Sequence, residues 1–573
     1  MKETDKKNPR VSVLAIAAGL ILAGIIIVVL IRYMPSKKRM EPDEYFGVLN
    51  EGEFSVTVDD HVAAERAVMI GERLYIDYDL VRRELNPRFH WDDSVGMMLF
   101  TTPLEIYEIP LDSASYTIDG AAQDAGHVIV TRTGDKIYFS MEFLMSLTDL
   151  TYDVFEDPAR VMITYGRNAF QASDRGSAII RKDSAIRYRG GVKSPILTEV
   201  PKGAEVFVLE QMEKWSEVVT SDGYVGYIQN KRLGNIASSE RGTYYTEPVY
   251  TSLSVNGRLN LVWHQINYEG MNADLAEDIE HMSGVNVISP TWYFLADSQG
   301  AVDSFADASY VTQAHEAGLQ VWALISNFSE NVSTTELLAS RDARQKVQNY
   351  LISEAKSIGF DGINIDLEGI AESAGYDYVQ FMRELSILCR KEGIYLSVDV
   401  PVPMGFTSHY DRRELGVVCD YVIMMGYDEH YAGSDITGSV ASMDFERTGI
   451  ANMLREVPKE KVVSAIPFYT RLWYTETNAD GSSRVTSEAL GMGRAWQVLE
   501  ENGVTAVWDE DAEQPYGEWT NAEGLFCQLW LEDDSTVAER ASFVSENDLG
   551  GIAAWVLGNE LDYVWSVIEE NIK

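Results

Sequence analysis

From residue 245 onward the chain alternates short apolar runs with stretches of helical periodicity, and it does so eight times. The runs are LNLVWHQ (259–265), VNVISPTW (285–292), LQVWALIS (319–326), FDGINIDLE (360–368), IYLSVDVPV (394–402), CDYVIMMGYD (419–428), KVVSAIPFY (461–469) and GGIAAWVLG (550–558). In the intervening stretch DYVQFMRELSILCRKEG, Val379, Met382, Leu385 and Leu388 recur every three residues, and Gly393 is expected to close the helix. Parallel strands need crossover connections, and helices are the usual crossovers. Eight repeats over about 325 residues therefore predict an α/β fold, a (β/α)8 barrel. The long gap between the seventh and eighth runs, roughly 475–535, predicts an α+β insertion.

The fourth run carries the chemistry. Ile363, Ile365 and Leu367 fall on one face at a period of two, and Asn364, Asp366 and Glu368 fall on the other. A half-buried strand with its polar face in water has this pattern, and so does a barrel strand whose polar face lines a site. No Lys or Arg occurs between Lys356 and Arg383. Burying two carboxylates without a nearby cation is costly for structure alone. Catalytic groups of such barrels sit at the C-terminal strand ends. Glu368 is therefore expected at the rim, with Asp366 and Asn364 one and two steps deeper, about 6.6 Å per step.

The rest of the chain bounds the setting. The 573 residues carry 47 Lys+Arg against 89 Asp+Glu, a net charge of −42, which argues against a nucleic-acid partner. Residues 1–40 are the exception, with eight Lys/Arg against two Asp/Glu. They surround VSVLAIAAGLILAGIIIVVLI (11–31), where Ser12 is the one polar side chain, and no small-residue cleavage site follows. A transmembrane signal anchor over 11–32, after a cytoplasmic tail of residues 1–10, is expected. Basic residues balance on the two sides, so they do not orient it. Cys389, Cys419 and Cys527 match no zinc spacing and cannot all pair within one chain.

Between anchor and barrel lie two smaller regions. GERLYIDYDLV from Gly71 is echoed by GDKIYFSMEFL from Gly134, and at the same offset MLFT (98–101) falls on VMIT (161–164). This predicts a duplicated α+β domain over 41–168. It resembles the copper amine oxidase N-terminal-like domain of bacterial surface proteins, and without a His/Cys cluster it reads as a spacer or wall-facing module. Residues 174–235 read as short strands, with a hairpin signal at Ser221-Asp222-Gly223. Trp215, Val218, Gly223, Gly226 and Tyr227 fill the closing pattern of a bacterial SH3-like domain, which that region resembles. The resemblance implies cell-wall peptides as partners, against the plainer reading of a rigid linker.

In the barrel region, 241–573, DGINIDLE resembles the signature DxxDxDxE of glycoside hydrolase family 18, with Asp361, Asn364, Asp366 and Glu368 in its four slots. MMGYD (424–428) resembles the family's sixth-strand ending and IPFYTR (466–471) its seventh. Trp555 resembles the tryptophan of the eighth strand. VISPTW and QLWLED (528–533) are closer to the spore cortex-lytic and cell-wall subgroup than to chitinases. Asn364 departs from the usual Asp and removes a charge beside Asp366.

The resemblance implies substrate-assisted catalysis. Glu368 is the general acid, and the substrate's 2-acetamido oxygen attacks to form an oxazolinium ion. Asp366 holds the amide N–H, and Tyr427 aims the acetamido oxygen. Asp428, Met425 and Trp555 are candidate substrate contacts, and Tyr469, Arg471, Trp530 and Glu532 are weaker ones. Asn364 and Asp361 complete the set, with Asp361 expected to brace the strand. No metal or organic cofactor is called for. The expected protein is a single-pass membrane enzyme, its catalytic part outside the cytoplasm, that hydrolyses N-acetylglucosamine linkages of peptidoglycan. A chitinase and a non-catalytic glycan-binding surface protein are the alternatives, the latter disfavoured by the presence of Glu368.

Overall fold

The computed structural model describes residues 16–24, 32–165, 176–237, 245–478 and 481–573, grouped into two compact units. One unit comprises residues up to 87, 109–116 and 123–247; the other comprises 88–108, 117–122 and 248–573. Among the described residues no helix is long and apolar enough to cross a membrane. Most of the apolar run 11–31 lies outside the described residues, and its residues 16–24 are helical.

The described residues of the first unit include two sheets. A seven-stranded sheet runs Leu150–Glu156, Ala159–Tyr165, Glu53–Val58, His61–Ile70, Arg73–Asp77, Lys136–Ser140 and Val130–Thr133 in spatial order. The opening strands of the two repeat copies are neighbours, fifth and sixth in this order. Arg73–Asp77 and Lys136–Ser140 each lead into a short helix, and they pair antiparallel through Ile76 with Phe139 and Asp77 with Tyr138. The later halves of the copies diverge. Val161–Ile163 lies parallel to Val56–Val58, whereas Met97–Thr101 forms a hairpin with Phe89–Asp92 in the other unit. A six-stranded antiparallel sheet built from residues 176–229 accounts for the second small region.

The second unit is a closed barrel of eight parallel strands: β1 (Leu259–His264), β2 (Val287–Pro290), β3 (Gln320–Ser326), β4 (Gly362–Asp366), β5 (Tyr395–Pro401), β6 (Tyr421–Met425), β7 (Val462–Pro467) and β8 (Gly551–Trp555). Each pairs with the next, and β8 pairs with β1 to close the ring. All eight predicted runs are strands. The helix Gly375–Glu392 ends at Gly393 with φ 71°, the left-handed conformation that glycine adopts without strain.

Strand alternation sorts side chains into two cores. Ile363, Ile365, Leu367, Leu396, Val398 and Val400 pack outward against the helices, and Leu261, Trp263, Trp322, Leu324, Ile423 and Ala553 fill the barrel interior. Burying each large aliphatic contributes about 1.5–3 kcal/mol, so the outward row of β4 fixes which way its polar row faces. A one-residue slip would reverse both faces at once.

Buried ion pairs tie the Phe89–Thr101 hairpin to the outer helices of this unit. Arg344, fully buried, donates to Asp92 at 2.7 Å and to Glu384 at 3.1 Å. Arg88 and Arg383 converge on Glu414 at 2.9 and 2.8 Å. The insertion folds as an antiparallel sheet that includes Tyr469–Thr477, Ser483–Gly491, Gln514–Thr520 and Phe526–Trp530.

Candidate active site

The polar row of β4 points into the barrel and rises to its C-terminal mouth. Asn364 is fully buried, Asp366 is 5% exposed, and Glu368, two residues past the last strand pairing, is open to solvent. Glu368 has left the ladder, so its backbone needs another partner. Asn327, just beyond β3, supplies one: its amide nitrogen donates to the Glu368 carbonyl at 2.8 Å, and its amide oxygen accepts from the Glu368 N–H at 3.0 Å. The same amide nitrogen also donates to Thr334 Oγ1 at 2.9 Å.

Below the mouth, Asn364 is saturated by protein. Its oxygen accepts from Trp263 Nε1 at 2.8 Å and Ser289 Oγ at 3.3 Å; its nitrogen donates to Ser397 Oγ at 3.0 Å and Asp399 Oδ1 at 2.9 Å. With no exposure and no free donor, Asn364 braces the barrel floor instead of facing a glycan, which corrects its expected place among the substrate contacts.

Next to Glu368 is a cleft of about 230 Å³ whose walls include Met404, Phe406, Met425, Tyr427 and Asp428. Asp428 takes a left-handed backbone, φ 58°, that Asp tolerates better than branched residues, and it accepts the Tyr469 hydroxyl at 2.6 Å. The Tyr427 and Tyr469 rings meet edge to face at 6.2 Å. Trp555, half-buried at the end of β8, tilts against Trp263 at 5.8 Å. Tyr427 and Trp555 thus cap the apolar interior of the barrel.

The electrostatics raise the acids of this row. Partial desolvation at the cleft wall, then the charge of Asp428, raises the Glu368 carboxyl above its ordinary range. Burial, then the charge of Glu368, raises Asp366. Burial, then the charge of Asp366, raises Asp399, with the Asn364 hydrogen bond working the other way. Burial, then Tyr469, raises the Tyr427 hydroxyl and keeps it a donor. A carboxyl raised in this way at a cleft wall suits a general acid.

The remaining candidates lie elsewhere. Asp361 precedes β4, where it accepts from the Val321 N–H and bonds His315 Nε2, both at 2.8 Å; it braces the N-terminal end of the barrel, opposite the mouth. Glu532 is 3% exposed and locked to Arg540 at 3.0 Å and to Gln514 Nε2 at 2.5 Å, beside an Arg540–Glu446 pair at 2.6 Å. It belongs to a buried ion cluster, and the expectation that it contacts substrate is corrected. Arg471 donates to Ser487 across the insertion hairpin at 3.1 Å, and Trp530 donates to Asp509 at 2.9 Å while its ring packs on Tyr516. Both are held by the insertion sheet.

Asp399 and Asn327 were not among the predicted site residues. The signal for Asp399 was available: in IYLSVDVPV, Ser397 and Asp399 alternate with Leu396, Val398 and Val400 just as the acid row of β4 alternates with its aliphatics.

A closed β/α barrel with a raised carboxylic acid at the C-terminal mouth, buried acids behind it and a tyrosine beside it is the arrangement of a glycoside-cleaving enzyme. Comparison with known families agrees. The model for glycosyl hydrolases family 18 matches residues 223–560, more than half the chain, and the model for a bacterial SH3 domain matches 185–234. The chain belongs to glycosyl hydrolases family 18 and is a glycoside hydrolase. Among relatives, it is 23% identical over 292 residues to the uncharacterized glycosylase YvbX of Bacillus subtilis, covering 49% of this chain and 83% of that one. It is 24% identical over 270 residues to the cortical fragment-lytic enzyme of Bacillus subtilis, covering 45% of this chain and 61% of that one. The C-terminal domain of a chitinase candidate from Desulfitobacterium hafniense shares the fold with a TM-score of 0.52 at 21% identity, covering 56% of this chain and all of that domain.

Proposed function

We propose that this chain is a retaining glycosidase of the cell wall, cleaving N-acetylglucosamine linkages of peptidoglycan by substrate-assisted catalysis. The observation that carries the reading is the stacking of Glu368 at the cleft wall over Asp366 beneath it, with Tyr427 and Asp428 in the same wall. Glu368 gives its proton to the glycosidic oxygen. A direct nucleophile would need a second carboxylate across the scissile bond, about 5–5.5 Å away. Asp366 instead lies one step deeper on the same strand, in reach of a 2-acetamido N–H. The substrate's own carbonyl oxygen then attacks, Tyr427 donates to that oxygen, and Glu368 deprotonates the incoming water.

The peptidoglycan assignment is supported by the relatives above and by the SH3 domain, which suits wall-peptide binding. The run 11–31, with Ser12 as its one polar side chain, suits an anchor that leaves the catalytic part outside the cytoplasm. The duplicated region over 41–168 reads as a spacer.

A second reading, hydrolysis of chitin oligosaccharides, is favoured by Phe406. It is 77% exposed on the cleft wall, where an aromatic ring offers a sugar-stacking face. Incubating the chain with purified peptidoglycan and with chitin oligomers, then identifying the new reducing end by mass spectrometry, decides between them. N-acetylglucosamine at the new end of peptidoglycan fragments supports the first reading; cleavage of chitin oligomers alone supports the second.

A further inference from the structure

Asn364 removes one carboxylate from the polar row of β4, and the neighbouring strand puts one back. In the parallel register Asn364 sits opposite Ser397 and Ile365 opposite Val398. The next inward residues of the two strands are Asp366 and Asp399, on chains about 4.8 Å apart. They are 5% and 2% exposed. Among the described residues, no Lys or Arg makes a hydrogen bond or ion pair to either one, and Asp366 Oδ1 has no hydrogen-bond partner. Two bare anions so placed would repel strongly in a medium that screens poorly. A shared proton removes the conflict.

The hydrogen-bond network limits where that proton can sit. Trp263 and Ser289 occupy the Asn364 oxygen, so the Asn364 amide nitrogen must face β5, where it donates to Asp399 Oδ1. Asp399 is thereby fixed by one oxygen, leaving Oδ2 to carry a proton toward Asp366. We infer that Asp399 is a positioning residue that stays protonated beside Asp366, so that the pair carries one negative charge, held on Asp366, through the reaction. No proton leaves the pair. Asp366 remains the acceptor for the acetamido N–H and the counter-charge to the oxazolinium ion, steps that rest on the proposed mechanism.

The test uses the full chain and three variants: Asp399→Asn, Asp399→Ala and the double exchange Asn364→Asp/Asp399→Asn. Two readouts are taken. The first needs no substrate: infrared difference spectra at pH 7, wild type minus variant. Loss of one protonated-carboxyl band in Asp399→Asn and its return in the double exchange are expected. The second is kinetic, on peptidoglycan and on chitin oligomers. An asparagine side chain at 399 is as neutral as a protonated carboxyl and can still donate to Asp366, so Asp399→Asn should keep kcat within about tenfold of wild type, whereas Asp399→Ala, which removes the donor, should lower kcat about 100-fold with KM within about threefold. An ionised Asp399 would not give that split, because Asp399→Asn would then remove a charge just as Asp399→Ala does. An unchanged protonated-carboxyl band in Asp399→Asn, a kcat of Asp399→Asn as low as that of Asp399→Ala, or wild-type kcat in Asp399→Ala would each overturn the inference. If wild type cleaves neither polymer while the infrared result holds, the proposed substrate fails and the proton pair stands.

Discussion

The side-chain amide of Asn327 makes two hydrogen bonds to the backbone of Glu368, one to its carbonyl and one from its N–H, at 2.8 and 3.0 Å. Strand β4 stops pairing at Asp366, so this amide takes over the role that a β3 peptide group plays lower down. It sets the height of the acid over the cleft. Asn327→Ala is expected to lower kcat about 10- to 100-fold, because small misplacements of a catalytic group are expensive. KM and melting temperature should barely move, since the loop stays exposed. Steady-state kinetics with thermal unfolding check this; a large rise in KM with intact kcat would point to a binding role.

Tyr427 keeps its proton and faces the cleft beside Glu368. Tyr427→Phe removes one donor and leaves the ring packing in place. A fall in kcat of about 100-fold is expected, with the fold unchanged by circular dichroism.

Asp428 raises the Glu368 carboxyl through its negative charge, second to desolvation. The acid must be protonated to work, so its raised pKa extends activity toward higher pH. Asp428→Asn removes that charge while leaving an oxygen to accept the Tyr469 hydroxyl. The alkaline limb of the kcat/KM profile should therefore move to lower pH. A limb that stays put or moves up would show that another group sets it.

Glu414 lies between Arg383 and Arg88. Burial alone would raise it, but the two guanidinium groups outweigh burial and bring it from its ordinary 4.5 to about 2. Its folded pKa lies below its unfolded one, so its stabilisation is complete above about pH 4.5 and is lost as pH falls toward 2. The shift corresponds to about 3 kcal/mol. Glu414→Gln should lower stability by that order at pH 7 and flatten the acid limb between those values. Denaturant unfolding as a function of pH measures both.

Much of this was legible locally, and the reasons differ by residue. The eight strands follow from apolar runs broken by helical periodicity, and the acid row of β4 follows from strict alternation against Ile363, Ile365 and Leu367. Asp361 could be placed away from the mouth by counting, since it lies seven residues before Glu368 and ahead of the strand. Glu532 could not be assigned that way. It is held by Arg540 on the helix Asp534–Glu546 and by Gln514 on another strand, partners that meet only in the folded insertion. Asn327 was equally silent, because its signal is a side chain bonding to the backbone of a residue 41 positions away. The later halves of the duplication look alike in sequence, yet one joins the seven-stranded sheet and the other a hairpin, since strand pairing depends on neighbours outside the repeat.

The central claim is that Glu368 delivers a proton while the substrate's own amide attacks. The most direct measurement is proton NMR of freshly cleaved product, recorded before mutarotation, from wild type and Glu368→Gln side by side. The account predicts a new reducing end of retained configuration from wild type and none from the variant, whose melting temperature matches. An inverted product, or cleavage at the wild-type rate by Glu368→Gln, would contradict it.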